Sequence, residues 1–430
     1  MSRLLLLSSL AYGLLLLGLV TLSGEPFILA VPLMIYLGVA LFYGPGEIGL
    51  RATRTFSADR VSQGVPVVVR LSVTNDGAQL EEILLKDHIP ESLELVKGEA
   101  EVLTSIPPGG TVELEYAVRG NRGCFDFKSV RVTASDQLGL FRRQATLPAP
   151  GQLIVLPEVP KVRQVVIRPL RTRAYAGPVP ARQGGAGVEF FGVREYQLGD
   201  PLRWINWRVS ARHPRMLFAN EFEQERIADA GLILDARQRS DIRLGEHSLF
   251  EHAIRATASL ADAFLNDGNR VGLLVYGGVL DWTFPGYGKT QREQILRALA
   301  RAETGDSMAF DSLDYLPTRF FPARSQLVLI SPLCRDDPPT LVRLRARGYQ
   351  LLVISPDPIA FETRMLGSQP AVDLAARIGR VERALLLRKL RMAGVQVVDW
   401  SVDRPFDQTI HASLGRMPHW FRAVGVEAWP

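Results

Sequence analysis

Residues 188–225 read VEFFGVREYQLGDPLRWINWRVSARHPRMLFANEFEQE. Charged side chains (Glu189, Arg194, Glu195, Asp200, Arg203, Arg208, Arg212) alternate with aromatic ones (Phe190, Phe191, Tyr196, Trp204, Trp207, Phe218, Phe222). The mixture follows neither the 3.6-residue period of an amphipathic helix nor the two-residue period of a half-buried strand. Gly199 and Pro201 interrupt regular structure, so Tyr196–Pro201 reads as a turn. Leu202–Ala211, with Trp204 and Trp207 three apart, suits a helix. Arg194, Arg203 and Arg212 have Glu195, Asp200 and Glu189 as candidate ion partners, and buried arginines need such partners. Two readings follow: an ion-pair and aromatic network that holds two domains in register, or a surface that binds a partner or ligand. The stretch decides the fold because it divides a β-rich region from an α/β region.

Upstream, alternation dominates. Val65–Thr74 is followed by the turn Asn75-Asp-Gly, and Glu82–Ile89 ends at Pro90. Leu93–Val96, Ala100–Leu103 and Thr111–Arg119 read as further short strands. Short strands at regular spacing predict an immunoglobulin-like β-sandwich over 49–160. Arg119–Cys124 and Asp136–Phe141 are turn-rich. His88 reads as a surface or strand-edge histidine. The linker 161–226 begins with a stretch rich in Pro, Gly and Arg, which predicts an irregular surface path up to Gly187. Gln183-Gly-Gly-Ala-Gly lacks the strand and the Gly-Lys-Ser/Thr that a phosphate loop needs.

The chain starts with two uncharged runs, Leu4–Gly24 and Pro26–Gly46, joined through Ser23, Gly24 and Glu25. Each matches the roughly 20 apolar residues that cross a bilayer core, so 1–48 is expected to form a transmembrane helical hairpin. Arg3, Arg51 and Arg54 flank it, which places both ends and the soluble domains in the cytoplasm. Cys124 and Cys334 are far apart and suit a reducing compartment.

Downstream, strands and helices alternate. Strands are expected at Gly231–Asp235, Arg270–Tyr276, Gln326–Ser331, Gln350–Ser355 and Val395–Trp400, with a short edge strand at Asp281–Phe284. Helices are expected at Ser248–Leu265, Gln291–Ala302, Pro339–Arg347 and Val372–Ala393. This order implies a parallel, doubly wound sheet over 227–430, with any ligand at the carboxyl ends of the strands. The pattern resembles a von Willebrand factor A-type domain. That resemblance implies a metal motif Asp-x-Ser-x-Ser, which here reads Asp235-Ala-Arg237-Gln-Arg239. Both serines are arginines, and Pro332 stands where a later aspartate is usual. Thr304 is a candidate for the family's threonine, and Asp336 and Asp337 could supply oxygens. Two guanidiniums beside one carboxylate oppose a cation and can themselves pair with Asp235, so a degenerate site without metal is expected.

Arg194-Glu-Tyr, Gly199-Asp200, Arg203, Trp207 and Ser210-Ala-Arg212 resemble the signature of the DUF58 family. These are membrane-anchored, A-domain-like proteins often encoded beside MoxR-type AAA+ ATPases. The resemblance implies a scaffold or adaptor for such an ATPase, in complex assembly or envelope maturation. The same residues mark the binding or structural signature. The alternative readings are a metal-dependent A-domain binding protein or an uncharacterised hydrolase. No GxSxG or HExxH pattern occurs, and His247 and His252 have no metal-ligand spacing, so no catalytic residue and no cofactor is expected. The net charge of +5 is modest for 430 residues, and the arginine-rich linker matches no nucleic-acid module. Expected partners are the ATPase and the membrane.

Overall fold

The computed structural model describes residues 3–42, 48–135, 142–163, 172–173, 179–213, 215–245, 247–307, 310–322, 325–367 and 369–414; side chains at 3–4, 40–42, 172–173, 179–189, 191 and 222–227 lie outside that description. The patch Asp136–Phe141 and the ion partner Glu189 therefore fall outside the described residues or side chains. The chain divides into two compact units, 1–156 and 157–430.

The first unit begins with α1 (Arg3–Thr21) and α2 (Glu25–Phe42). They pack on each other, burying Ala11 and Ala30. Gly18 lets the Phe27 ring approach; a Cβ there would lie 2.7 Å from the ring. Among the described residues, no helix is long and apolar enough to cross a membrane.

Among the described residues nine strands follow: β1 (Leu50–Phe56), β2 (Arg60–Ser62), β3 (Val67–Asn75), β4 (Leu80–Asp87), β5 (Leu93–Gly98), β6 (Glu101–Ile106), β7 (Thr111–Gly120), β8 (Gly123–Ser135) and β9 (Arg142–Leu156). They form two sheets, ordered β1-β3-β7-β5 and β2-β9-β8-β4-β6. One core lies between them, because alternate residues of β3 (Val67, Val69, Leu71, Val73) meet Ile83, Leu85, Val130 and Val132 from the other sheet. A fully buried side chain of this kind contributes about 1.5–3 kcal/mol. β1, β2, β8 and β9 are strands that the two-residue alternation did not bring out. β9 holds Pro148 and Pro150, and a register shift interrupts its ladder with β8 near Phe127 and Ser129, which blurs the two-residue period.

Inside this core lies a charged side-chain cluster. Arg54 donates to both Asp87 oxygens, through Nε at 3.3 Å, and to the Ala149 carbonyl. Its guanidinium lies 4.8 Å from the Phe127 ring centroid. Tyr116 Oη donates to Asp87 Oδ2 at 2.6 Å. Burial and the neighbouring carboxylate push the Tyr116 hydroxyl well above its ordinary pKa.

The second unit opens with β10 (Thr172–Arg173), β11 (Val179–Glu195) and β12 (Phe218–Ala236), with α3 (Trp207–Ser210) between the last two. β11 and β12 pair as one antiparallel ribbon with register shifts. The expected irregular path up to Gly187 is corrected here, since a strand occupies Val179–Glu195. Gly184, Gly185 and Gly187 have no side chains to show a period, and the register shifts break what remains. β12 runs through residues 226 and 227 into Gly231–Asp235, so the signature segment and the first strand of the parallel sheet are continuous. The helix expected over Leu202–Ala211 is two pieces, a 3₁₀ turn Leu202–Trp204 and α3. Asn206 separates them by capping α3, its side-chain oxygen accepting from Val209 N.

The remaining elements are β13 (Arg243–Leu244), β14 (His247–Ser248), α4 (Leu249–Asn266), β15 (Arg270–Gly277), β16 (Asp281–Gly286), α5 (Gly288–Arg301), β17 (Gln326–Ile330), α6 (Asp337–Ala346), β18 (Gln350–Pro356), α7 (Pro358–Leu366), α8 (Pro370–Met392), β19 (Gln396–Trp400) and α9 (Phe406–Leu414). The sheet order is β16-β15-β12-β17-β18-β19, parallel except for the edge strand β16. Ile233, Leu274, Leu327, Leu329, Leu351 and Val353 share a core with Leu341 and Leu344 of α6 and Leu390 of α8. The alternate residues Leu232, Leu234, Val275 and Val328 are buried on the opposite face. Both faces are covered, as a parallel sheet requires. β12 and β17 are neighbours whose crossovers lead apart, to β15 and to β18. Their carboxyl ends therefore flank the topological switch point, where open sheets of this type bind ligands.

Candidate functional site

Asp235 stands at that switch point, and Arg237 fills the space above it. Arg237 is 1% exposed, and Asp235 and Asp337 are 2% and 1% exposed. The Arg237 guanidinium donates Nε to Asp235 Oδ1 at 2.8 Å and Nη2 to Asp235 Oδ2 at 2.7 Å. On its other side, Nη1 and Nη2 reach the two oxygens of Asp337, both at 2.9 Å. Nη1 also donates to the Asp311 carbonyl at 3.1 Å. The five N–H groups of an arginine thus meet five acceptors. Burial opposes the Arg237 charge, but the bonds to Asp235 and Asp337 outweigh it and hold the guanidinium more firmly protonated than usual.

Serines and backbone complete the cluster. Ser240 Oγ and Ser331 Oγ donate to Asp235 Oδ2 at 2.7 and 2.6 Å, and Arg237 N donates to Asp235 Oδ1 at 3.1 Å. Cys334 N donates to Asp337 Oδ2 at 2.7 Å. Burial raises the Asp337 carboxyl against the pull of Arg237. Burial likewise pushes the Cys334 thiol up, so it is not an activated nucleophile. Arg239 lies further out, 2.8 Å from Asp336, 3.2 Å from Asp311 and 3.8 Å from Asp337. Thr304 sits beside this loop, because Gly305 exchanges backbone bonds with Ala236 and Gln238. The sequence reading found Asp235, Arg237, Arg239, Asp336 and Asp337. It missed Ser240, one residue past the expected motif, and Ser331, read only as the end of a strand.

The signature residues make a second site, at the tip of the β11–β12 ribbon. Arg194 clamps Asp200 with two bonds of 2.7 Å. Asp200 also accepts from Gln197 N at 2.9 Å, and its carbonyl accepts from Tyr196 Oη at 3.0 Å. The Arg194 bonds, then the Gln197 amide, hold the Asp200 carboxyl below the usual carboxylate range. Gly199 closes the turn at φ 111°, a backbone state that glycine tolerates. Ser210 Oγ accepts from Phe218 N at 2.9 Å and returns the chain to β12. Tyr196, Gly199, Asp200, Arg194 and Ser210 are therefore scaffold. Glu195 contributes its carbonyl, bonded to Arg194 at 3.0 Å, while its side chain is exposed. Arg203, Trp207 and Arg212 lie outside the clamp and are exposed. Of the three candidate carboxylates, Asp200 is the one that pairs with Arg194; among the described residues no ion pair holds Arg203 or Arg212. Leu198, Leu202 and Trp207 are fully, 72% and 67% exposed.

Comparison with known proteins agrees with the signature. A family described as "Protein of unknown function DUF58" matches residues 192–358, which span the ribbon tip and the Arg237 cluster. The uncharacterized protein YeaD of Bacillus subtilis (strain 168) is 28% identical over 256 residues, covering 57% of this chain. The match spans 60% of that relative's length. Among solved structures, a FixG-related protein from Vibrio parahaemolyticus aligns at 13% identity, covering 25% of this chain and 96% of that chain, with a TM-score of 0.18. A cohesin from Archaeoglobus fulgidus aligns at 14% identity, covering 25% of this chain and 91% of that chain, with a TM-score of 0.17. Scores this low carry no weight for fold or function. Over residues 192–358, which hold the signature, the chain matches the DUF58 family.

Proposed function

We propose that this chain is a membrane-anchored adaptor that docks a partner protein on the tip of the β11–β12 ribbon, the partner being a MoxR-type AAA+ ATPase. The observation that carries this reading is the tip itself. A clamp of charged and backbone bonds fixes it, yet Leu198, Leu202 and Trp207 face solvent beside Arg203, Arg208 and Arg212. Exposed apolar residues grouped with arginine and tryptophan mark protein interfaces. The anchor would be the α1–α2 hairpin, supported by the uncharged runs Leu4–Gly24 and Pro26–Gly46 and by the exposed Leu5, Leu6, Leu16, Leu17, Ile28 and Leu29. The flanking arginines favour both ends in the cytoplasm.

The first unit reads as an immunoglobulin-like sandwich, supported by two sheets around one core. The second reads as a von Willebrand factor A-like domain, supported by the strand order with its antiparallel edge. Its metal position is degenerate in this reading, because Arg237 places a guanidinium where a cation's charge would sit.

The test is retention of a MoxR-type ATPase from the same genome on the full chain in mild detergent. Wild type is expected to retain it. A Leu198→Ser, Leu202→Ser, Trp207→Ser variant with an unchanged melting temperature is expected to lose at least tenfold. Equal retention by both would remove the tip as the docking surface; no retention by wild type would remove the ATPase as partner.

A further inference from the structure

Helix α8 has two apolar faces, and the fold uses one of them. Ala376, Leu387 and Leu390 are buried, and half-buried Leu386 packs with Leu390 against the core of the second unit. Arg383 also turns inward, bonding Asp399 at 2.7 Å and the carbonyls of Pro332 and Ser355. On the outer face Leu374, Ile378, Val381, Leu385 and Met392 are between 56% and 78% exposed. Their spacing is four, three, four and seven residues. That is the 3.5-residue repeat of a coiled-coil seam, not the broader stripe that seats a helix on its own domain. From Leu374 to Met392 the seam is about 27 Å long, at 1.5 Å per residue.

The charges beside the seam identify what would cover it. Arg377, Arg380, Lys389 and Arg391 are exposed, and Arg388 occupies the seam position between Leu385 and Met392. Glu382, an acidic group on this face, is held by Arg335 at 2.6 Å. A second copy of α8 is a poor occupant. Parallel pairing sets Arg388 against Arg388, and antiparallel pairing sets Arg377 near Arg391. An amphipathic helix with Leu or Ile in the seam and Glu at the flanks satisfies both the apolar surface and the arginines. We infer that the outer face of α8 is a docking site for an acidic amphipathic helix of a partner protein. This surface is separate from the ribbon tip, and its argument does not depend on the adaptor reading.

The probe is a synthetic three-heptad peptide with Leu at both seam positions and Glu at both flanking positions, titrated against the full chain in detergent. The control peptide has Lys at the flanks. We expect the Glu peptide to bind, the Lys peptide to bind at least tenfold more weakly, and an Ile378→Ser, Val381→Ser, Leu385→Ser variant to lose at least tenfold while melting as wild type does. An Arg377→Glu, Arg391→Glu variant should reverse the preference between the peptides. Four results would overturn the inference: equal binding of both peptides; a dimer of the full chain that the serine variant dissociates; binding to vesicles of phosphatidylglycerol, lost in the serine variant, in place of peptide binding; or peptide binding that appears only after removal of residues 415–430, which would make the chain's own segment the occupant.

Discussion

Arg54 in the first unit and Arg237 in the second are both buried and both clamp aspartates, yet their surroundings differ. Arg54 faces a single carboxylate, Asp87, and the set is closed by Tyr116 and the Ala149 carbonyl between two sheets. One positive and one negative charge cancel inside a sandwich core. Arg237 faces two carboxylates at the end of a parallel sheet, with Arg239 outside on Asp336. Asp235 accepts five hydrogen bonds, three of them from groups other than the Arg237 guanidinium. The first cluster is a fixture that cannot rearrange without opening the core. The second is an oxygen-rich cluster with the Arg237 guanidinium at its centre. The same pair of residue types thus closes a sandwich core in one unit and ties loops together at the sheet's carboxyl end in the other.

The largest effects come from removing each arginine. Arg54→Ser and Arg237→Ser should each cost about 3–5 kcal/mol, since each leaves a buried carboxylate uncompensated. The two can be followed separately because all six tryptophans lie in the second unit. Tryptophan fluorescence then reports the second unit, and circular dichroism reports both. Millimolar Mn²⁺ or Mg²⁺ should raise the melting temperature of Arg237→Ser, where Asp235, Asp337, Ser240 and Ser331 leave several oxygens together. The same ions should do nothing for Arg54→Ser, which leaves one carboxylate. If the ions also fail to stabilise Arg237→Ser, the oxygens are not arranged for a cation and the contrast collapses to two equivalent ion pairs.

A smaller effect sharpens the contrast through redundancy. Asp87 accepts side-chain bonds from Arg54 and Tyr116, so Tyr116→Phe removes a large share and should cost about 1.5–3 kcal/mol. Ser331→Ala removes one of five bonds to Asp235 and should cost about 1 kcal/mol. Denaturant unfolding of the two variants compares them directly. An equal or reversed order would show that the second cluster is not the better-buffered one.

Much of this arrangement was open to reading in the sequence, and for identifiable reasons. The parallel strands are continuous apolar runs such as Gln326–Ile330 and Gln350–Pro356, and α4 and α8 follow a helical period, so their placement needed only local pattern. Asp235 and its two arginines stood out because a motif position was occupied by the wrong chemistry. Ser240 and Ser331 did not: Ser240 lies one residue past the motif and reaches Asp235 through the local 3₁₀ turn Gln238–Ser240, while Ser331, 96 residues from Asp235, reaches it only by tertiary contact. Arg54 was read as a flanking charge of the hairpin, because its partners Asp87, Tyr116 and Ala149 lie 33 to 95 residues away. The β11–β12 ribbon was hidden by its glycines and bulges, while the turn at its tip was plain from Gly199 and Pro201.

The smallest effect concerns acid and separates His252 from the Arg237 cluster within the second unit. His252 on α4 packs against Phe361 and Trp400, with ring centroids 6.1 and 6.4 Å away. Burial, and then Arg255, lowers its pKa; His247 and Arg364 act in the same direction, and Glu251 opposes them. A depressed folded-state value means that folding favours the neutral ring. The stabilisation is complete above the unfolded value of roughly 6.5 and declines as pH falls through the folded one. Asp337 works in the opposite sense, because burial raises its carboxyl and protonation favours the folded state. The two are distinguished by substitution. Between pH 7.5 and 5 the fluorescence-detected melting temperature of wild type should fall by a further degree or two relative to His252→Gln. If the two fall in parallel, His252 takes no part in the acid response of the second unit.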